Sequence, residues 1–207
     1  MKVPVPVFAA EAHWRRSASG LANLFRSLVS PKMAPALYYL DFIIFPLLIL
    51  GFLISAFGMG SVRTSLVSAA VALTGFAFWT LAEYGVHRFV LHHMPVFAPL
   101  HLAHHQSPRA LIGTPTVFSV AMFLVAGFLP ALMLTSMTVA SAWMVGLLSG
   151  YLLYLVVHYA VHHTSSGRYE LVRRLKRHHS RHHHRDGHSN FGVTTTLWDR
   201  VFGTLGG

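Results

Sequence analysis

The sequence predicts an all-α integral membrane protein, with four transmembrane helices in two hairpins and a histidine-rich helical cap on the cytosolic side. Three observations support this fold class. Hydrophobic residues make up 54% of the 207 residues, charged residues make up only 11%, and the mean hydropathy is +0.52. Four long segments carry almost no charge, and clustered histidines follow the ends of two of them. This composition excludes an ordinary soluble domain and a disordered chain.

The four uncharged segments are each long enough to cross a bilayer, which takes about 20 residues. Asp41 is the only charged residue within them, and Pro46 and Pro130 predict kinks. Short connections join the first segment to the second and the third to the fourth, which predicts two antiparallel hairpins. The approximate spans are 38–57, 65–82, 117–137 and 140–157.

Basic residues predict the orientation of the spans. Fifteen of the sixteen Lys and Arg residues fall on one side, and only Arg63 falls on the other. The positive-inside rule therefore predicts that both termini are cytoplasmic. The same bias explains the net charge of +10, so nucleic-acid binding is not needed to explain it. No nucleic-acid-binding module is visible in the sequence. Residues 1–35 are expected to form a cytosolic or interfacial arm, and 36–207 a single membrane domain with its cap in 83–115 and 158–207.

The sixteen histidines are the most specific feature of the sequence. Fifteen of them follow the second span, in four runs along the chain. Cysteine is absent, which excludes disulfides, thiolate ligands and a cysteine nucleophile. Any metal site must therefore use imidazole nitrogen, which accepts iron, zinc, copper or nickel.

Ten of the histidines have spacings that bring imidazoles together. Residues three or four apart share one face of a helix, and two H-x-x-H-H repeats and one H-x3-H pair have this spacing. His87 and His92 are five apart, so their convergence requires the helix to end or distort near Leu91, and Pro95 favours such a break. Ten imidazoles are too many for one ion and suit two. The predicted ligands are His87, His92, His101, His104, His105, His158, His162, His179, His182 and His183.

Other interpretations of the histidines are weaker. A polar, weakly basic coat at the membrane interface explains one cluster better than it explains four on a single membrane face. A metal transporter should have ionisable residues near the middle of its spans, and the span interiors lack them. A bis-histidine haem anchor would leave most of the histidines unexplained.

The order of these motifs, together with the tail segments 190–193 (Asn-Phe-Gly-Val) and 197–204, closely resembles the fatty acid hydroxylase/sterol desaturase superfamily. The resemblance runs from about Trp79 to the C-terminus. Glu83 with its neighbours and 111–115 look most like the fatty acid 2-hydroxylase branch and its bacterial members. The resemblance implies a membrane anchor and a cytosolic helical unit that holds two iron ions on the ten histidines above. Zinc can replace iron in purified members, and O2 is the co-substrate.

Eight further residues are expected to support the ligands or to contact lipid headgroups. Carboxylates in this role would accept hydrogen bonds from the imidazoles and orient them. Pairing with a neighbouring arginine is an equally open interpretation for two of the carboxylates, Asp186 and Asp199. The supporting residues are predicted to be Glu83, His93, His163, His178, His184, Asp186, His188 and Asp199.

These features predict an enzyme that hydroxylates a lipid C–H bond with O2 and external electrons, because no side chain can oxidise such a bond unaided. Ligands close to the span ends favour a carbon near the headgroup, and hence 2-hydroxylation of a fatty acyl lipid or sphingolipid. Hydroxylation or desaturation of a sterol or carotenoid remains open. No cytochrome b5 domain precedes the spans, so we expect a separate electron donor, a ferredoxin or cytochrome b5-like protein with its reductase. The expected location is a bacterial inner membrane, and the oligomeric state is not predicted.

Overall fold

Every regular element in the described part of the chain is helical. A computed structural model describes residues 32–58, 60–165, 169–185 and 187–206. Most of the expected N-terminal arm, together with Asp186, lies outside these ranges. The helices are α1 (Pro35–Tyr39), α2 (Asp41–Phe57), α3 (Val62–Gly85), a π-helix (Val86–Leu91), α4 (Ala98–Gln106), α5 (Thr116–Met122), a second π-helix (Phe123–Phe128), α6 (Leu129–Leu134), α7 (Met137–His163), α8 (Glu170–His184) and α9 (Leu197–Val201).

Four helical stretches are long and apolar enough to cross a membrane, and the predicted fold class is thereby confirmed. Two of them continue well past the apolar segments seen in the sequence, and their last turns carry histidines. The histidines at the ends of these two stretches therefore belong to the same helices that cross the membrane. The stretches are span I (Pro35–Phe57), span II (Val62–Leu91), span III (Thr116–Leu134) and span IV (Met137–His163).

Span IV is the centre of the helix packing. It lies along span II and span I more extensively than those two lie along each other. In an apolar window of 18 residues within span IV, 56% of the window is buried, whereas the share is 11–17% in the corresponding windows of the other spans. The short connections join the spans as predicted, but the largest interfaces are formed by span IV with spans I and II. Many large apolar side chains on the outer faces, such as Leu73 and Met133, are exposed and suited to contact lipid.

Small residues allow spans II and IV to approach closely. A Cβ atom added to Gly146 would lie 2.0 Å from the carbonyl oxygen of Ala72, and one added to Gly75 would lie 2.6 Å from the carbonyl oxygen of Trp143. Close approach of backbones at small residues is a usual means of packing membrane helices. Below this crossing, Trp79 and Tyr151 pack with centroids 5.2 Å apart in the buried core.

The two prolines within the spans behave differently. Pro46 lies inside the uninterrupted helix α2. Pro130 follows the second π-helix by two residues. Since proline has no N–H to donate, the wider helical turn accommodates the missing hydrogen bond.

We predict that Gly146→Leu destabilises the protein by at least about 1–3 kcal/mol, because the new side chain meets a backbone oxygen of span II that cannot rotate away. Gly51→Leu is the matched control, since nothing lies within 4 Å of its added Cβ. The measurement is the thermal unfolding midpoint in detergent. Equal midpoints for the two variants would contradict the packing described here.

Candidate metal centre

The ten histidines that the sequence predicts as metal ligands lie in two adjacent groups of five. Within each group, one ring nitrogen of every residue lies within 4.8 Å of the others. The groups adjoin, because the rings of His105 and His183 stack with centroids 4.2 Å apart. The first histidine group contains His87, His92, His101, His105 and His182. The second histidine group contains His104, His158, His162, His179 and His183.

The first π-helix brings His87 and His92 together. On an α-helix, two side chains five residues apart point well away from each other, as their spacing in the sequence indicated. The segment Val86–Leu91 is instead π-helical, with the i→i+5 repeat that suits this spacing. The two ring centroids lie 5.3 Å apart. The distortion expected near Leu91 is therefore confirmed, and it takes the form of a π-helix.

Helices α4 and α8 each contribute to both histidine groups. In α4, His101 and His105 belong to the first group and His104 to the second. In α8 the division is reversed, because His182 alone belongs to the first group. Span II supplies only the first group and span IV only the second, so the two cap helices join the sites.

The nitrogen separations fit ligands around a metal ion. The Nε2 atom of His101 lies 3.0 Å from that of His87 and 3.1 Å from that of His92. In the second histidine group, the Nε2 atoms of His162 and His179 are 2.9 Å apart. With a metal–nitrogen bond of about 2.1 Å, two ligands at right angles lie about 3.0 Å apart. The donor set therefore fits two ions with cis imidazole ligands.

Hydrogen bonds on the far side of two rings fix which nitrogen faces the first group. The Nδ1–H of His87 donates to the carbonyl oxygen of Phe191, and that of His182 donates to the carbonyl oxygen of Ser189 at 2.7 Å. Each Nε2 therefore presents a lone pair to the group and no proton. Converging lone pairs repel each other, and a cation between them removes the repulsion.

Burial keeps the cap imidazoles neutral. Desolvation and then the neighbouring imidazoles lower the pKa of His92 to about 4, of His104 to about 3 and of His183 to about 2. The same causes lower the pKa of His105 to about 2. Neutral imidazole is the form that binds metal, so protons do not compete for these nitrogens near neutral pH.

The second histidine group is anchored differently. The Nδ1 atoms of His104, His179 and His183 are buried and have no hydrogen-bond partner in the described part of the chain. One of its ligands, His158, instead stacks on Tyr154 with centroids 5.4 Å apart and planes 10° from parallel. Sequence patterns do not reveal this tyrosine, because its role depends on ring stacking along span IV.

Asp199 holds the tail loop that orients His87. Its fully buried carboxylate accepts hydrogen bonds from the N–H groups of Phe191 and Gly192, from the Thr204 hydroxyl, and from Nε2 of His178 at 3.0 Å. Burial alone would raise the pKa of Asp199, but these donors outweigh burial and lower it. Asp199 therefore orients an imidazole, as expected, but that imidazole belongs to His178, outside both histidine groups. Among the described residues, Asp199 forms no ion pair with an arginine.

Glu83 has a different role from the one expected. Its buried carboxylate accepts hydrogen bonds from the N–H groups of Val193 at 2.7 Å and Thr194 at 2.9 Å, and from the Thr194 hydroxyl. Among the described residues, no hydrogen bond joins Glu83 to an imidazole. Glu83 therefore ties the tail loop to span II and acts on the histidines only through that loop.

The remaining histidines lie outside the two groups. His93 donates from Nδ1 to the carbonyl oxygen of Arg88 at 2.8 Å, and His163 stacks on Tyr159 at 4.3 Å. His184 and His188 are exposed. The sequence also missed the backbone acceptors of residues 189 and 191, which pattern alone could not reveal. Their loop turns at Asn190, whose φ of 59° is left-handed.

The model of the family described as fatty acid hydroxylase matches residues 72–204. The chain belongs to the fatty acid hydroxylase family. The superfamily predicted from the motifs is thus confirmed. The suggested affinity to bacterial members stays a prediction.

Curated family members resemble the chain over most of its length. It is 35% identical over 143 residues to dihydroceramide fatty acyl 2-hydroxylase FAH2 of Arabidopsis thaliana, covering 64% of the chain and 59% of that protein. It is 31% identical over 211 residues to ceramide very long chain fatty acid hydroxylase scs7 of Schizosaccharomyces pombe, covering 94% of the chain and 57% of that protein. The chain thus spans less than two thirds of the length of these relatives.

A solved structure shares the fold. It is described as full-length scs7p with only the hydroxylase domain visible, and the TM-score is 0.70 at 24% identity. The match covers 85% of this chain and 68% of that chain.

We predict that each histidine group binds its ion independently. His101→Ala should make only the first group's ion removable by a chelator, and His104→Ala only the second group's, because each variant removes one of five imidazoles from a different group. The double variant should lose both ions, and the exposed His93→Ala should lose neither. Chelator competition followed by elemental analysis measures this. Joint loss of both ions from each single variant would show that the groups are not separate sites.

We predict that Asp199→Asn weakens metal binding by the first histidine group about 10- to 100-fold, because an amide cannot accept all the hydrogen bonds that fix the Phe191 carbonyl. The second group should change little. Glu170→Gln is the control, since Glu170 forms ion pairs on the exposed face of α8. Metal affinities from chelator competition give the comparison, and an equal loss in both groups would contradict it.

Proposed function

We propose that this protein is a membrane-bound non-haem di-iron oxygenase that hydroxylates a C–H bond of a lipid with O2 and external electrons. The observation that supports this proposal is the pair of five-imidazole groups at the ends of membrane-spanning helices. The names of the curated relatives, which are hydroxylases of fatty acyl chains, support the reaction class.

The donor set suits redox-active metal ions. When bound, two iron ions would supply the oxidising power that C–H hydroxylation with O2 requires and that amino-acid side chains lack. The residues that would hold them are the ten histidines of the two groups. Zinc also binds imidazole and would replace iron in purified protein, but it has no redox chemistry and would not support turnover.

The chain's own residues orient the ligands. The carbonyl oxygens of Phe191 and Ser189 hold the protons of His87 and His182 away from the first histidine group. The carboxylates of Asp199 and Glu83 bind backbone N–H groups of the same tail and keep those carbonyls in place. A preorganised shell of this kind is what a reactive metal site needs, because misplaced ligands would admit side reactions.

The depth of the site favours a carbon close to the lipid headgroup. His158 lies five residues before the end of span IV, which corresponds to about 7.5 Å along a helix axis. The reacting carbon would thus lie near the membrane surface, as C2 of an acyl chain does. Fatty acyl or sphingolipid 2-hydroxylation is therefore the favoured reaction. The relatives' names favour it over oxidation of a sterol or carotenoid.

We further propose that the site and both termini face the cytoplasm of a bacterial inner membrane. The distribution of basic residues supports this orientation, since fifteen of sixteen fall on one side. Electrons would come from a separate donor, a ferredoxin or a cytochrome b5-like protein with its reductase.

The test is lipid mass spectrometry of cells that express the protein with a donor and reductase. Wild-type protein should add the mass of one oxygen atom to acyl lipids, with the hydroxyl at C2 by fragmentation. The His104→Ala, His182→Ala double variant removes one imidazole from each group and should give no product, whereas His93→Ala should match wild type. Loss of two hydrogens instead of gain of oxygen, or metal transport into vesicles by an iron-loaded protein without lipid oxidation, would overturn the proposal.

A further inference from the structure

A cavity of about 220 Å³ adjoins the second histidine group. His162, His179 and His183 form part of its wall. Two basic side chains, Arg109 and Lys176, line it as well. The volume is smaller than a typical pocket for a whole small molecule, so the cavity suits a headgroup-sized fragment.

The two basic side chains come from different elements. Arg109 lies in the loop between α4 and span III, and it makes no hydrogen bond or ion pair with any described residue. Lys176 lies on α8, where its ammonium group donates to the carbonyl oxygen of Thr164 at 2.7 Å. The part of the lining that the structure describes includes no carboxylate. Within the described residues, the charged side chains that line the cavity are therefore basic.

Metal ions held by the two histidine groups would add to this positive charge. All ten histidines are neutral donors, and no carboxylate belongs to either group among the described residues. Bound cations would therefore keep their full charge beside Arg109 and Lys176. A concave, partly desolvated site with one sign of charge attracts an ion of the other sign.

The cavity also lies at the level of the membrane surface. Val161 and His162 belong to the last turn of span IV, and Val161 and Pro108 give the lining an apolar part. A molecule with an anionic head and an apolar tail matches these neighbours. An arginine guanidinium binds a carboxylate or phosphate through two parallel hydrogen bonds.

We propose that this cavity binds the anionic headgroup of a lipid, a carboxylate or a phosphate, with Arg109 and Lys176 as its counter-ions. The proposal deepens the proposed function and rests on it for the identity of the ligand as substrate. A carboxylate in this position leaves C2 one bond away from the bound group and beside the second histidine group. The substrate class is then an acidic lipid, such as a free fatty acid, in which the charge determines the position of the chain.

The experiment measures binding without turnover. Full-length zinc-loaded protein is placed in phosphatidylcholine nanodiscs, and binding above that of empty nanodiscs is measured for radiolabelled palmitate, hexadecyl phosphate, hexadecanol and inorganic phosphate. Wild-type protein should bind at least one of the two anionic lipids about tenfold more tightly than hexadecanol. Arg109→Gln and Lys176→Gln should each weaken that binding about tenfold, and Arg109→Lys should retain most of it.

The matched control is Arg173→Gln, because Arg173 is a basic residue of α8 that pairs with Glu170 and does not line the cavity. It should bind like wild type. Zinc content checks that each variant is folded. Equal affinity for palmitate, hexadecyl phosphate and hexadecanol, or an equal loss of all three in Arg109→Gln, would overturn the proposal. Binding of inorganic phosphate without either anionic lipid would also overturn it in favour of a free-anion site.

Failure of the proposed function gives a different pattern. If lipid hydroxylation is absent in cells but palmitate binding to the zinc-loaded protein depends on Arg109, the headgroup site stands and the reaction assignment fails. If hydroxylation is found but binding does not depend on Arg109, the reaction stands and the headgroup site fails.

Discussion

Ten uncharged imidazole nitrogens must converge in two small volumes, and the rest of the structure serves that constraint. In the first histidine group, hydrogen bonds on the far side of His87 and His182 leave lone pairs directed inward. Such an arrangement is unfavourable without a cation, and burial strengthens both the repulsion and its relief by metal. Four separate elements must therefore be held at fixed positions.

The membrane helices hold two of these elements. Spans II and IV meet at Gly75 and Gly146, where only hydrogen fits between the backbones. Both helices then continue past their apolar segments to Leu91 and His163. Because the crossing fixes the height of one helix relative to the other, it also fixes the height of the imidazoles that they carry. The depth at which chemistry could occur is thus set by helix packing several turns away.

The tail holds α8, because His178 and His182 of that helix donate hydrogen bonds to it. The tail also explains where the carboxylates go. Glu83 and Asp199 are both buried, yet neither belongs to a histidine group. Each binds backbone N–H groups of the tail, and the tail supplies the carbonyl oxygens that orient two imidazoles. The donor set stays neutral as a result. Metal ions held by the second histidine group would keep their full charge beside Arg109 and Lys176, and this is the physical basis of the proposed anion site.

Charge content and helical spacing are local properties, so the sequence was enough to predict the helical fold class, the four apolar spans and the ten histidines that come together. It also indicated a distortion near Leu91, since five residues do not close an α-helical turn. That His101 and His104 belong to different groups became visible in the folded structure alone, because they are three residues apart on one helix. The same holds for the central place of span IV, the backbone acceptors of the tail and the cavity beside Arg109. These features depend on how separate elements are placed relative to one another, and no spacing along a single helix contains that information.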